Sequence, residues 1–379
     1  MIGDRMNEAV LPGAWLGLLG GGQLGRFFTI AARQMGYRVM VLDPDPESPA
    51  GTLADAHLIA GYTDERAIAK LAADCAAVTT EFENVPAKTL AALTRTCIVA
   101  PSAGAVAIAQ DRIAEKEFVA GLGLPLAPYS AIRHVDDLDA PEPGALLPGI
   151  LKRAREGYDG RGQIRVGSAG ELHAAWVQLG ETACVLERRM SLDRELSVVL
   201  ARGRDDSIRT YPVAENRHRA GILDTSVVPA PATDDLAPQA TQAALAIARG
   251  LNYIGVLAVE FFVSEGRLLV NEIAPRPHNS GHYTLDACAT SQFEQQVRAL
   301  CGLPLGDTSL LTPAAMVNLL GDSMLSGRAD WNELLALPGS KLHLYGKREA
   351  RPGRKMGHIT LLGEHAAETA RQCSIRLVA

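Results

Sequence analysis

The stretch from Val256 to Ile273 reads VLAVEFFVSEGRLLVNEI, two apolar runs joined by Ser264-Glu265-Gly266. Runs this rich in β-branched and aromatic residues, broken by a glycine turn, predict an antiparallel hairpin with strands over 256–263 and 267–273. Glu260 interrupts the first strand, and Glu272, beside Asn271, ends the second. A carboxylate inside an apolar strand is costly to bury unless it is paired or holds a metal. Facing each other across a hairpin, the two acids can share one face and offer hard oxygen ligands to magnesium, the ion that bridges nucleotide phosphates in phosphoryl transfer. The other reading is a pair of edge-strand acids facing solvent.

Upstream of the hairpin, Ala183 to Glu187 and Leu196 to Ala201 have strand character, as does the short run Ile150 to Lys152. Lys152 is followed by Gly157-Tyr158-Asp159-Gly160-Arg161-Gly162-Gln163. With no side chain in the way at the glycines, backbone N–H groups of such a loop can lie against phosphate oxygens, and the preceding lysine can add a point charge. Taken alone, the same stretch suits a surface hairpin turn. The region from about 125 to 300 is therefore predicted to be mixed α+β, and the tail from Leu303 another small block, with basic residues between Lys341 and Lys355.

Toward the N-terminus the pattern changes to a parallel α/β one. Trp15 to Leu19, Tyr37 to Leu42 and Ala76 to Thr80 are short apolar runs, with a helix predicted from Gln23 to Met35 and Gly36 at its end. Gly20, Gly22 and Gly25 satisfy GxGxxG between a strand and a helix, with Asp43 closing the next strand. Alone this is a dinucleotide fingerprint and suggests a nicotinamide-dependent oxidoreductase. The same loop can instead receive a mononucleotide phosphate or the edge of a substrate. Gly123, Pro125 and Pro128 break a charged helical pattern, which puts the first domain boundary between 103 and 125.

The 379 residues allow two or three domains, and 47% hydrophobic with 21% charged residues excludes a disordered chain. No apolar run approaches the roughly 20 residues of a membrane span, and the first residues lack the apolar core of a secretory signal, so a cytoplasmic location is expected. A net charge of −6 provides no overall pull on nucleic acid. The six cysteines, at 75, 97, 184, 288, 301 and 373, contain no CxxC pair and are expected to be small buried thiols.

Taken together, the Lys152 to Gln163 stretch, the Glu187 segment with Glu195, the Glu260 strand and Asn271-Glu272 resemble the ATP-grasp fold. Within it, the Gly22 to Gly25 loop, Glu81-Phe82-Glu83-Asn84, Gln110-Asp111-Arg112, the run Arg276 to His282 and the run Arg351 to Lys355 resemble the 5-(carboxyamino)imidazole ribonucleotide synthetases, from about residue 15 to about 360. That resemblance implies a Rossmann-like N-terminal domain (1–110), a small central lid (111–190), and a C-terminal ATP-grasp domain with a small terminal subdomain (191–379). It implies ATP and magnesium as cofactors, with Arg112, Lys152 and the loop Gly157, Tyr158, Asp159, Gly160, Arg161, Gly162, Gln163 on the phosphates. Glu187, Arg188, Arg189 and Met190 would line the adenine pocket, the two arginines being a departure from the family pattern. Glu195 would take the ribose hydroxyls, His218 another part of the nucleotide, and Glu260 and Glu272 the magnesium, with Asn271 alongside.

For the ribonucleotide the resemblance points to Gln23, Leu24, Glu81, Asp159, Arg161, Arg276, His278, Asn279, Lys347, Arg354 and Lys355. Lys152, Asp159, Arg276, Glu260 and Glu272 would carry the reaction. Its implied course is attack of bicarbonate on the γ-phosphate, giving carboxyphosphate that the exocyclic amine of aminoimidazole ribonucleotide then captures. The implied partners are these small molecules and a second copy of the chain in a homodimer, with neither nucleic acid nor membrane. The formate-dependent glycinamide ribonucleotide transformylases are the nearest alternative, and a non-catalytic nucleotide-binding module a further one. His282 is expected to be a satisfied polar residue of its loop.

Overall fold

Short, fully buried apolar runs pair in parallel over the first region. β1 (Trp15–Leu19), β2 (Arg38–Leu42), β3 (Ala56–Leu58), β4 (Ala77–Thr80) and β5 (Ile98–Val99) form a sheet in the order β3-β2-β1-β4-β5. The computed structural model describes residues 8–157, 162–231, 235–327 and 329–378. Helix α1 (Gln23–Gln34) follows β1 and turns Leu24, Phe27, Phe28, Ala31 and Ala32 inward, at the 3–4 residue spacing of an amphipathic helix. It stops at Met35, where Gly36 takes φ +83°, a conformation cheap only for glycine. Strand order reverses beside β1, so the carboxyl ends of β1 and β4 open the crevice where such sheets bind ligands.

The central region is a separate antiparallel sheet in the order β6-β9-β7-β8, built from β6 (Tyr129–Ile132), β7 (Gly149–Arg153), β8 (Gln163–Val166) and β9 (Cys184–Arg188). Helix α2 (Arg112–Gly121) leads into it, N-capped by the Asp111 carboxylate, which accepts from the N–H groups of Ile113 and Ala114. Helix α3 (Ala169–Gln178) covers one face of the sheet with Leu172, Ala175 and Trp176 against Leu151, Val166 and Leu186.

In the third region β10 (Arg194–Arg202), β11 (Ile208–Thr210), β12 (Ala214–Arg219), β13 (Ile222–Val228), β14 (Gly255–Ser264), β15 (Arg267–Ala274), β16 (Ala314–Leu320), β17 (Ser340–Leu344) and β18 (Lys355–Leu362) make one sheet, in the order β15-β14-β10-β12-β13-β16-β18-β17, with β11 beside β10. The tail from Leu303, expected as another small block, packs a core of its own and also extends this sheet: Thr225 to Val228 pair with Val317 to Ala314. Burial explains the pairing. Six consecutive residues of β16, Ala314 to Leu319, are buried, so the strand needs cover on both faces and a neighbour on each edge. Helix α4 (Leu236–Gly250) packs Ala240, Ala244 and Ile247 on β10 and β14. Helix α5 (Gln292–Cys301) joins the regions, with Phe293, Val297 and Leu300 against Phe27 and Phe28 of α1. Helix α6 (Ala366–Val378) covers β16.

The hairpin β14–β15 forms as its sequence indicates. Ser264 pairs with Arg267 across a two-residue loop in which Glu265 and Gly266 take φ +52° and +70°, the geometry that matches strand twist. All six cysteines are free and buried.

Candidate functional site

The three regions enclose a cleft of about 870 Å³. Its first wall is the hairpin. Glu260 of β14 stands opposite Glu272 of β15, and the next pair is Phe261 with Val270, so Asn271 is one residue more than its partner strand supplies. The bulge is what brings Asn271 and Glu272 into the cleft together, since successive strand residues otherwise point to opposite faces. Burial raises the Glu260 carboxyl, as does the charge of Glu272, although His218 opposes the shift. His278 Nε2 lies 3.5 Å from Glu260 Oε1, and burial with the nearby Arg276 charge keeps that imidazole neutral. On β12, His218 is in close contact with Glu195 of β10. Burial disfavours the His218 cation, but the hydrogen bond to Glu195 and the charge of Glu260 outweigh it and raise its pKa.

The second wall comes from the central sheet and α2. Lys152 on β7 and Glu187 on β9 meet at 2.9 Å, both buried. Burial pulls the Lys152 ammonium down, despite the Glu187 charge. It pushes the Glu187 carboxyl up, but Lys152 and Lys116 together overcome this and hold it at about 2. Arg112 of α2 reaches Glu272 at 3.4 Å and the Gly157 carbonyl at 3.4 Å, so it ties the central region to the hairpin. Arg188 and Arg189 line the cleft, where Arg188 Nη2 donates to the Ala145 carbonyl at 2.9 Å and the Arg189 N–H to that of Pro148.

The third wall is the glycine loop. Gly22 and Gly25 donate their N–H groups to the two carboxylate oxygens of Glu81, and Gly21 donates to Asp43 Oδ2 at 2.7 Å. The donors that would cradle a pyrophosphate are thus committed to the protein's own carboxylates. Asp43 is equally occupied, accepting also from Asp45 N–H and Tyr62 Oη. The dinucleotide reading of GxGxxG therefore fails here, because the glycines serve to admit Glu81: a Cβ on Gly22 would lie 2.4 Å from its Oε1. Burial raises the Glu81 carboxyl while those two N–H groups partly offset it. Gln23 and Leu24, at the start of α1, also face the cleft.

Opposite this loop, Arg276 Nε donates to Glu83 at 2.5 Å, and Asn279 and His278 follow along the same segment. Lys347, Arg354 and Lys355 complete this end. The Arg354 N–H donates to the Arg351 carbonyl at 3.0 Å across Pro352 and Gly353, where Gly353 takes φ +72°, so the expected tight turn is present.

Every described residue that the resemblance assigns to ATP, magnesium or the ribonucleotide lines this one cleft, except Gly157 and Gly162. Gly162 takes φ +72° and accepts from Arg153 N–H through its carbonyl. Tyr158, Asp159, Gly160 and Arg161 lie outside the described residues. Two buried charged residues beside the cleft, Lys116 and Glu115, escaped the sequence reading, and the half-buried Glu83 has no role of its own there. Lys116 lies one turn beyond Arg112 on α2, a spacing that puts both on one face and was the available signal. Glu115, raised to about 8 by burial and the charge of Glu272, accepts from the Ile273 N–H and so anchors β15. Glu83 holds Arg276; burial raises its carboxyl, but the Arg276 guanidinium outweighs this and lowers it. His282, expected to be satisfied, is fully buried with Nδ1 lacking a partner among the described residues.

Comparison with known proteins yields one consistent picture. Residues 14–110 match the ribonucleotide synthetase preATP-grasp domain, 117–293 the ATP-grasp domain, and 314–372 the phosphoribosylaminoimidazole carboxylase C-terminal domain. The N5-carboxyaminoimidazole ribonucleotide synthase of Bacillus subtilis is 45% identical over 357 residues, spanning 94% of this chain and 93% of that protein. That of Brucella melitensis is 44% identical, over 93% and 98%. Among solved structures, the Staphylococcus aureus synthetase complexed with ADP superposes with a TM-score of 0.92 at 35% identity, covering 98% of this chain and 99% of that one. The Aspergillus clavatus enzyme in complex with ADP and 5-aminoimidazole ribonucleotide gives 0.87 at 31% identity, covering 98% and 99%.

Proposed function

The chain belongs to the N5-carboxyaminoimidazole ribonucleotide synthase family of ATP-grasp ligases, whose reaction is the ATP-dependent carboxylation of aminoimidazole ribonucleotide, and from that premise we propose how its residues divide the work. The observation that carries the assignment is the direct pairing of Glu260 with Glu272 beside Arg112, within one cleft with Lys152 and Arg276. ATP lies between the second wall and the hairpin. Lys152, Arg112 and Gln163 face its phosphates, Glu187 to Met190 flank the base, and Glu195 with His218 takes the ribose.

The residues fit magnesium: two carboxylates and a carboxamide are hard oxygen ligands, and the burial of Glu260, offset only in part by His218, is the state a cation would relieve. Glu260 and Glu272 would hold it with Asn271 alongside. When bound, the ion neutralises charge on the transferring phosphoryl group.

A bicarbonate oxygen attacks the γ-phosphorus, the bond to the β-phosphate oxygen breaks, and ADP and carboxyphosphate result. Arg276, held in place by Glu83, supplies the fixed cation toward which the bicarbonate turns its negative oxygens. The exocyclic amine of the ribonucleotide then attacks the carboxyl carbon, phosphate leaves, and the nitrogen gives up a proton. Gln23, Leu24, Glu81, His278 and Asn279 place the ribonucleotide, and Lys347, Arg354 and Lys355 take its phosphate. Walling the cleft on three sides limits water, which would otherwise hydrolyse the mixed anhydride.

The division into regions 1–110, 111–190 and 191–379, a cytoplasmic location and a homodimeric assembly are further parts of this proposal. Among the described residues no helix is long and apolar enough to cross a membrane. The deciding assay is ADP release with bicarbonate or with formate, each with and without aminoimidazole ribonucleotide. Release that requires bicarbonate and ribonucleotide together supports the reading. A response to formate and glycinamide ribonucleotide would replace it with the transformylase, and ATP binding without turnover would leave a binding module.

A further inference from the structure

Three imidazoles stack behind the wall that carries Arg276, His278 and Asn279. His282 lies flat on His358, with ring centroids 4.4 Å apart and planes 3° from parallel, and His343 continues the stack at 4.7 Å. Phe27 of α1, Phe293 of α5 and Tyr345 surround His282. His282 and His358 are fully buried, and burial lowers both imidazoles well below their usual range, so both are neutral.

A neutral imidazole has one N–H, and the neighbours decide which nitrogen bears it. His282 Nε2 is 3.1 Å from Asn279 Oδ1, while Nδ1 is buried with no partner among the described residues. Were the Asn279 carboxamide turned over, its NH2 would face Nε2, the imidazole proton would have to sit on Nδ1, and a buried N–H would be left without an acceptor. Orphaned buried N–H groups are rarer than unpaired acceptors. The Nε2–H therefore donates to Oδ1. Asn279 lines the cleft, and none of the described residues accepts from its NH2.

We infer that His282 is a positioning residue: held in the stack as its Nε2–H tautomer, it orients the Asn279 carboxamide so that the NH2 faces the cleft as a donor, and so commits that position to a hydrogen-bond acceptor of the bound substrates. The inference rests on the placing of Asn279 at the ribonucleotide end of the cleft. It makes the dipole direction of one amide depend on a buried ring that touches no ligand.

Two substitutions separate the donor from the packing. His282→Phe keeps a ring in the stack and removes the N–H, whereas His282→Gln keeps an N–H near the place of Nε2 and removes the ring. The phenylalanine variant is expected to lose roughly tenfold in kcat for ribonucleotide-dependent ADP release, with KM for ATP little changed, and the glutamine variant to stay within about threefold of the parent. In an Asn279→Ala background the phenylalanine substitution should cost at most about twofold, because the group it orients is gone; a purely structural role would give the same loss in both backgrounds. Equal losses in the two variants, or additivity with Asn279→Ala, overturn the inference. Should the phenylalanine variant fail to fold, the imidazole 15N shifts of the unaltered protein decide: a bare Nδ1 and protonated Nε2 support it, and the reverse overturns it. If the parent turns over and Asn279→Ala alone costs nothing, the placing of Asn279 in the site is what fails, and the 15N shifts still judge His282.

Discussion

Lys116 and Lys152 share one carboxylate from opposite sides: the Nζ of Lys116 lies 3.2 Å from Glu187 Oε1 and that of Lys152 2.9 Å from Oε2. The two contacts differ in kind. Oε2 receives a directed hydrogen bond, whereas Oε1 has none, so Lys116 contributes charge more than a bond. A buried acid between two ammonium groups keeps its own charge, and Lys152 is spared from neutralising it alone.

Replacing Lys116 with Met leaves Glu187 to Lys152 and should pull that lysine away from the nucleotide phosphates. The expected result is a severalfold rise in KM for ATP and a loss of roughly 1–3 kcal/mol in stability, the scale of an under-satisfied buried acceptor. Urea unfolding and an ATP titration check it together. Unchanged values in both would make Lys116 a bystander.

The pH dependence follows from the same carboxylate. Glu187, which ordinarily titrates at 4.5, is held at about 2 in the folded chain. The unfolded chain therefore takes up the proton first, so the stability this group contributes is fully present above 4.5 and is lost as pH falls through about 2. The loss approaches roughly 3 kcal/mol, and Glu187→Gln should flatten that part of the acid-unfolding curve. A variant whose unfolding free energy falls as steeply as the parent's over this window would contradict the assignment.

Glu272→Gln removes one charge from the carboxylate pair and one partner from Arg112 while keeping the shape of the bulge. Turnover should fall on the order of a hundredfold and recover partly at high magnesium, with the melting temperature little altered. Near-normal ADP release at ordinary magnesium would place the ion elsewhere.

Arg354 follows a tight turn and reaches the cleft with Nη1 donating to the Glu349 carbonyl at 2.9 Å. Arg354→Ala should weaken ribonucleotide binding by roughly 1.5–3 kcal/mol, the scale of a charge-assisted hydrogen bond, and leave ATP binding nearly unchanged. Comparison with the dephosphorylated nucleoside isolates the effect: a variant that still prefers the ribonucleotide as strongly as the parent does would show that another residue reads the phosphate.

What could be read from the residues depended on how local the cause was. The hairpin follows from strand alternation and a two-residue turn within one short stretch, but that register alone would set Glu260 opposite Asn271, and it is the one-residue bulge that brings Glu272 level with Glu260. The glycine loop could not be resolved that way, since its N–H groups suit a bound phosphate and a carboxylate of the chain equally, and the carboxylate that takes them, Glu81, stands 56 residues beyond Gly25. In the sequence Lys116 and Glu115 are only part of a charged helical pattern, although the fold buries both. The union of the tail with the large sheet rests on β13 pairing with β16, a contact between distant segments that no local pattern announces.

That pairing has a mechanical meaning. From β15 with Glu272 to β18, which begins at Lys355, the strands form an unbroken ladder, so the ends of the cleft proposed for the nucleotide and for the ribonucleotide phosphate share one stiff plate. The central sheet is not part of that ladder; Arg112, in contact with Glu272, is one of the ties between them. Relative motion between jaw and plate would leave the spacing of the two substrates along the plate untouched, so opening the protein to admit or release ligands need not spoil the alignment on which transfer depends.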